Sequence, residues 1–397
     1  MLTPSTETEA ADIIRDHASR KTPLQIRGGS TRAGFGNSVA AKAILSSASL
    51  TGIVEYNPAE MVITARAGTP VAEIERALAE NGQGMAFEPM DHRGAMGTSG
   101  APTIGGLFAV NSSGPRRFTA GAARDHLLGL RFVNGSGDAV KAGGKVMKNV
   151  TGLDLVKLLA GSYGTMGFLT EVTFKVLPVP KTAATIVISG LEDEVAMKAL
   201  AGALLLSVEV SGAAHLPESV RGRFVGGKLS EGAATVMRLE GLEASVTVRA
   251  EKLMSAMAGF GPINRLDADD TKALWTEIRD VTPYGDGTAR PLWRVSMPPS
   301  EAWKLVAGLR LRAGIDAYYD WQGGLVWMRM EADHEADVLR HGIRSLGGGH
   351  ATLVRAAPEI RAKVPTFEPL SPAVALLSSR VRAKLDPYGI FNPGLMA

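Results

Sequence analysis

Gln25-Ile26-Arg27-Gly28-Gly29-Ser30-Thr31-Arg32-Ala33-Gly34-Phe35-Gly36 begins as a short apolar strand and empties into paired glycines followed by two hydroxyl residues. Backbone N–H groups placed this way after a strand point into one concavity, which is how a pyrophosphate is held without a dedicated cation. The stretch is neither G-x-x-x-x-G-K followed by Ser or Thr nor G-x-G-x-x-G, so neither a nucleoside triphosphatase nor a nicotinamide-type dinucleotide fold is indicated. Taken alone it is equally a plain tight turn.

Two further loops change that balance. Thr103-Ile104-Gly105-Gly106, with Asn111-Ser112-Ser113-Gly114 behind it, allows a ligand to lie directly against backbone, with polar contacts at the rim. Gly161-Ser162-Tyr163-Gly164-Thr165-Met166-Gly167-Phe168-Leu169 is a glycine-punctuated turn entering another strand. Glycine makes up 46 of 397 residues, with no collagen-like period, as expected of a chain with many tight turns or close backbone approaches.

Outward from these loops, Thr6 to Arg20 has the spacing of an amphipathic helix, and Met61 to Ala67 reads as a strand before a helix over Val71 to Glu80. Leu127 to Asn134 and Ala139 to Val140 read as a hairpin, Asp154 to Ala160 as a short helix, and Phe168 to Leu177 as a strand. Pro178 and Pro180 mark the best internal boundary. Beyond them strand and helix alternate: Thr185 to Ser189 then Glu192 to Leu206, Thr235 to Leu239 then Ala244 to Met257, and Leu292 to Ser296 then Glu301 to Ala313. That rhythm predicts an α+β unit of ferredoxin-like type. Pro372 to Leu385 reads as a last helix before the turn-rich Asp386-Pro387-Tyr388-Gly389-Ile390-Phe391-Asn392-Pro393-Gly394.

The net charge is only +3 and the charges are scattered, so nucleic acid is not an expected partner. With no cysteine, the chain offers no disulfides, no thiolate metal ligands, no cysteine nucleophile, no iron–sulfur ligation and no cysteinyl link to a cofactor. Met1 to Asp12 lacks the basic and apolar regions of a signal peptide, and no run approaches the ~18 apolar residues of a spanning helix. The expectation is a cytoplasmic protein that inserts in no membrane directly and reaches one, the inner membrane, only peripherally through other subunits.

The loops at Arg27–Gly36, Thr103–Gly106 with Asn111–Gly114, Lys148–Pro178, and the terminal Asp386–Gly394 together resemble the FAD-binding family of vanillyl-alcohol oxidase (PCMH) type, and within it the FAD-binding subunits of bacterial glycolate oxidase. The resemblance implies an α+β chain: a two-part FAD-binding domain over residues 1–177, a cap over 178–355, and a segment over 356–397 that packs back toward the cofactor. It implies that Arg27, Gly28, Gly29, Ser30 and Thr31 hold the pyrophosphate. Pro89, Gly97, Thr103, Ile104, Gly105, Gly106, Asn111, Ser112 and Gly114 would line pyrophosphate and flavin. Gly164, Gly167, Phe168 and Leu169 would meet the cofactor through backbone, and Asn392 would approach the flavin from the returning segment.

Relatives with a covalent flavin carry a histidine just after the paired glycines; Ser30 stands there, so FAD is expected to be non-covalent. His92 is assigned a surface role on its loop ahead of a catalytic or attachment role. His334, His341 and His350 lack the spacing of a metal site, and none is expected. No catalytic residue is assigned. Arg116 and Arg117 are candidates for a substrate carboxylate, with phosphate contact or a surface ion pair as alternatives. Lys148, Asn149, Arg124 and Asp125 read as braces of the fold, and the five tryptophans as core. The implied activity is oxidation of glycolate, or a similar 2-hydroxy acid such as D-lactate, within a complex containing a larger FAD-binding subunit and an iron–sulfur subunit. The alternatives are a stand-alone FAD dehydrogenase and a non-catalytic FAD relay subunit.

Overall fold

A computed structural model describes residues 1–145 and 153–396; Lys148 and Asn149 lie outside the described residues. Up to Pro178 the strands are β1 (Leu24–Arg27), β2 (Ala43–Ser46), β3 (Ile53–Asn57), β4 (Val62–Arg66), β5 (Gln83–Gly84), β6 (Leu127–Val133), β7 (Ala139–Gly143), β8 (Phe168–Lys175) and β9 (Leu177–Pro178). β1 and β2 pair in parallel, while β3-β4-β8-β6-β7 form an antiparallel sheet. The helix Glu7–Ser19 starts where Thr6 accepts the Glu9 N–H, and it buries Ala10, Ile14 and Ala18 against Leu24, Leu45 and Phe391. The returning segment completes this unit: Leu24 pairs with Phe391, and buried Asp386 accepts the Ile390 and Phe391 N–H groups, which holds the terminal turn in shape.

The rest of the chain builds β10 (Thr182–Ser189), β11 (Gly212–Leu216), β12 (Ala234–Gly241), β13 (Ile263–Leu266), β14 (Leu292–Ser296), β15 (Ile315–Asp320), β16 (Leu325–Met330) and β17 (His350–Arg355). They form one antiparallel sheet in the order β13-β10-β12-β11-β15-β16-β14-β17. Each half has the 4-1-3-2 order of a βαββαβ unit, so the expected ferredoxin-like rhythm is two such units joined edge to edge through the His215–Tyr319 pairing. The helices Asp193–Leu204, Glu243–Met257, Ala302–Arg310 and Ala336–Ser345 pack on one face, where Val295, Val326, Met328 and Leu353 point. The two-residue period then turns Arg294, Ser296, Leu325, Trp327, Thr352 and Val354 to the opposite face, toward the loops of the first unit.

Candidate functional site

Two cavities adjoin one another, the first within the N-terminal unit and its returning segment, the second between the two units. The first is walled by the loops singled out in the sequence: Arg27 through Thr31, Thr103, Gly105, Gly106, Gly164, Gly167, Phe168, Leu169 and Asn392. The glycines are a steric requirement there. A Cβ on Gly29 would lie 1.6 Å from the Ala101 carbonyl oxygen, one on Gly28 2.3 Å from Thr103 Oγ1, and one on Gly105 2.6 Å from the Ala67 Cβ. The N–H groups of Gly29, Ser30, Thr31 and Arg32 find no backbone acceptor among the described residues, so a run of donors faces a concavity. The Arg32 guanidinium has a buried Nε without a partner, and burial brings its pKa down to about 10. The backbone donors are those that hold a pyrophosphate, Arg32 adds a positive charge beside them, and the cleft fits FAD.

Asn392 touches this cavity, but its amide is committed to the protein: Oδ1 accepts from Ile26 N at 2.8 Å, and Nδ2 donates to Tyr163 O at 2.9 Å. It clamps β1 to the Tyr163 turn and thereby fixes two walls at once.

The second cavity shares Arg32, Phe35, Val110 and Tyr163 with the first. Its floor is the face of the eight-stranded sheet turned away from those four helices, set in two rows by register: Trp327–Arg294–Thr352 and Leu325–Ser296–His350. Its roof comes from His92, Asn111 to Gly114, Arg117 and Tyr163. Trp321, just past β15, stacks under both Arg117 and Arg294, whose guanidinium carbons lie 4.8 and 5.0 Å from the ring centre. Neither guanidinium makes a hydrogen bond or ion pair among the described residues. Trp321 Nε1 in turn donates to Gly114 O at 3.0 Å, which ties floor to roof.

Three titratable groups share this space with the arginines. Burial, then repulsion from Arg32, holds His92 well below the usual histidine range. Burial, then Arg294 and Arg117, also lowers His350. Burial pushes the Asp320 carboxyl up to about 7, helped by Glu88 and opposed by the Trp321 N–H, Arg238 and Arg294. Backbone strain gathers here too. Ser30, Asn111, Tyr163, Trp321 and Asn392 line the cavities or hold their walls with φ between 42° and 59°, a region costly for residues with a side chain.

Several expected residues lie elsewhere. Pro89 lines a smaller neighbouring cleft with Asp91 and Arg93, and Gly97 ends the short helix Arg93–Met96 in a left-handed turn. Ile104 is core, packed with Leu107 and Phe108. Arg116 is spent on carboxylates: it pairs with Glu240 and Glu88 while Arg238 grips the same two acids, in a network linking the two units. Arg117, one residue on, is the arginine that reaches the cavity. His92 is half-buried and lines the second cavity, and Trp321 and Trp327 are cavity walls as well as core. Sequence reasoning missed Arg294, Asp320 and Trp321; the alternation Leu292-Trp293-Arg294-Val295-Ser296, which turns an arginine and a serine to the same face, is the signal that could have found the first.

Among known proteins, residues 1–143 match the FAD binding domain family. The glycolate oxidase subunit GlcE of Escherichia coli (strain K12) is 34% identical over 383 residues, which covers 96% of this chain and 95% of that protein. A D-lactate dehydrogenase of Archaeoglobus fulgidus is 29% identical over 178 residues, 45% of this chain and 38% of its own length. Among solved structures, p-cresol methylhydroxylase with substrate bound superposes with a TM-score of 0.70 at 15% identity, covering 99% of this chain and 88% of that one, a likeness of fold. The glycine-walled cleft with its unpaired donors is the candidate cofactor site, and the FAD binding domain match together with a relative matching nearly end to end shows that the chain belongs to the family of the FAD-binding glycolate oxidase subunit GlcE.

Proposed function

We propose that the chain is an FAD-binding subunit of a multi-subunit oxidoreductase that converts glycolate, or a similar small 2-hydroxy acid such as D-lactate, to the 2-oxo acid. Residues 1–177 form the cofactor-binding part, 178–355 the cap, and 356–397 the returning segment. The observation that carries the reading is the pair of partnerless guanidinium groups on Trp321, in a cavity that opens beside the cofactor cleft. Two such cations held on one indole suit a small carboxylate, because a bidentate pair with a planar guanidinium is both strong and directional.

Bound FAD supplies the two-electron acceptor for the Cα hydrogen. The chain's own residues do the remainder. Gly28 to Thr31 and Arg32 hold the pyrophosphate; Thr103, Gly105, Gly106, Gly164, Gly167, Phe168 and Leu169 form the walls on which the cofactor rests. Arg117 and Arg294 orient the substrate carboxylate, and Phe35 and Tyr163, stacked 5.5 Å apart at the shared wall, keep water out of the junction.

With no cysteine, the chain holds no iron–sulfur cluster of its own. An iron–sulfur partner would take the electrons onward, and a larger FAD-binding subunit would complete the complex. The helix Pro372–Leu385 supports association: it buries no residue, and Val374, Leu376 and Leu377 stand 48–62% exposed within one turn. Among the described residues no helix is long and apolar enough to cross a membrane, so membrane contact would come through partners.

The test is an anaerobic absorbance titration of the FAD-loaded chain, alone and with its partner subunits, with glycolate and D-lactate. Bleaching of the flavin by either acid is the expected result. If no flavin is bound, or no hydroxy acid reduces it even with partners present, the reading fails; bleaching only with partners reassigns the chain as a relay.

A further inference from the structure

We infer that His92 is the catalytic base of this site, taking the hydroxyl proton of the substrate on its Nε2 atom. The inference rests on the reading above, in which a hydroxy acid enters the second cavity. His92 follows Met90-Asp91 on the loop that roofs this cavity, and its Nδ1 lies 3.1 Å from the Met90 carbonyl oxygen. A carbonyl can only accept, so Nδ1 carries the hydrogen and the neutral ring keeps its lone pair on Nε2. Nε2 has no partner among the described residues. The loop is held in turn: Asp91 N donates to Asp280 at 2.9 Å, and the Asp91 carboxylate is pinned by Arg93 at 2.7 Å. The ring is thus both oriented and unspent, which a base must be.

The charged groups around it favour this role. Arg32 and Arg294 share its cavity and disfavour a second proton on the ring, while Arg117, Arg124, Arg279, Asp320, Tyr163 and His350 are the other titratable groups lining the same space. His350 is the rival, but its ring makes no hydrogen bond among the described residues, so nothing there fixes its tautomer or its orientation. In the step, the substrate O–H bond breaks and its proton goes to Nε2. The Cα hydrogen leaves with its electron pair to the FAD, and the carbonyl of the 2-oxo acid forms. One proton and one hydride leave the acid, and nothing else is consumed.

The test compares wild type with His92→Asn, whose amide can still donate to Met90 O but has no lone pair at the position of Nε2. Three quantities are read: the rate of anaerobic flavin reduction, the Kd for oxalate as an unreactive carboxylate by calorimetry, and bound FAD per chain. The expected result is a reduction rate lower by ~10²–10⁴-fold, the usual contribution of a general base, with oxalate affinity and flavin content within a factor of about two. Unchanged reduction in the variant overturns the inference alone. Equal losses in rate and in oxalate affinity overturn it too, since His92 would then be a carboxylate contact, as does loss of rate in His350→Asn instead. If the variant does not fold, the wild-type pH profile decides: reduction at saturating substrate should show no acid limb with an ordinary histidine midpoint, and such a limb near pH 6.5 counts against it. A wild type that no hydroxy acid reduces fails the functional reading itself and takes this inference with it.

Discussion

Asp320 ends β15 with its carboxyl buried, Oδ1 accepting the Trp321 N–H at 2.7 Å and the pKa pushed up to about 7. The sign follows: below that pH the group is neutral beside two cations, and above it one negative charge sits in the space offered to an anion. Oxalate should therefore bind more tightly at pH 6 than at pH 8, by about fivefold, the part of the ~1.4 kcal/mol of one partly screened like charge that is switched over that range. Calorimetry at the two pH values measures it. Asp320→Asn should bind equally at both, and a dependence that persists in the variant assigns the effect elsewhere. The two neighbouring arginines separate binding from folding. Arg117→Met should weaken oxalate by ~10–100-fold with FAD retained, the loss of a charge-assisted pair. Arg116→Met should spare oxalate and lower the melting temperature instead, because it strips one of two arginine partners from half-buried Glu240 at a cost of about 1–2 kcal/mol. The sequence placed both arginines after the cofactor loop, yet which of them is free depends on Glu240 and Glu88, brought in from 124 and 28 residues away. No local pattern carries that.

The elements that were legible are those that bury one side. The helix Glu7–Ser19, β1 and β14 fall where periodicity and caps place them; the helix Pro372–Leu385, which buries no residue, is the exception and is marked by Pro372 in its first turn. Illegible were β11 and β16: Gly212–Leu216 and Leu325–Met330 are buried along their whole length, so no alternation marks them, and small residues in the first give no strand signal. The glycine loops were legible for the opposite reason, since backbone crowding leaves a compositional trace. That crowding is testable. Gly29→Ala forces a Cβ into the Ala101 carbonyl, and the loop must move by more than a side chain can absorb. The FAD content of the purified variant should fall, with binding weakened by about 1–3 kcal/mol, the cost of overpacking a rigid contact. Full flavin occupancy with wild-type affinity would mean that this loop does not hold the cofactor.

At the scale of the molecule, the eight-stranded sheet couples the two sides of the site. One ferredoxin-like half bears the cavity floor on β14, β16 and β17; the other bears Arg238 and Glu240 on β12, which grip Glu88 and Arg116 of the cofactor-binding unit. The seam between the halves has a single strand pairing, His215 to Tyr319, so side chains must carry it. Asp193 does so from the start of the helix Asp193–Leu204: it accepts from Tyr319 Oη at 2.5 Å, from Arg310 at 2.7 Å and from His215 Nε2 at 3.2 Å, while His215 Nδ1 meets Thr235 at 2.9 Å. Burial alone would raise the Asp193 pKa, but the hydrogen bonds from His215 and Tyr319, with the charges beside it, hold it below the usual range. A folded-state pKa below the unfolded value gives stability that is fully present above the unfolded pKa of about 3.9 and lost as pH falls through the folded one. Asp193→Asn should therefore lower the melting temperature at neutral pH, for a loss of about 2–4 kcal/mol from a buried charged network. The gap to wild type should narrow as pH falls below about 4, where the wild-type carboxylate takes up its proton as well. Calorimetric melts across that range decide it: a gap absent at neutral pH, or one that does not close in acid, would leave the seam held by packing and the coupling of floor to cofactor unit independent of Asp193.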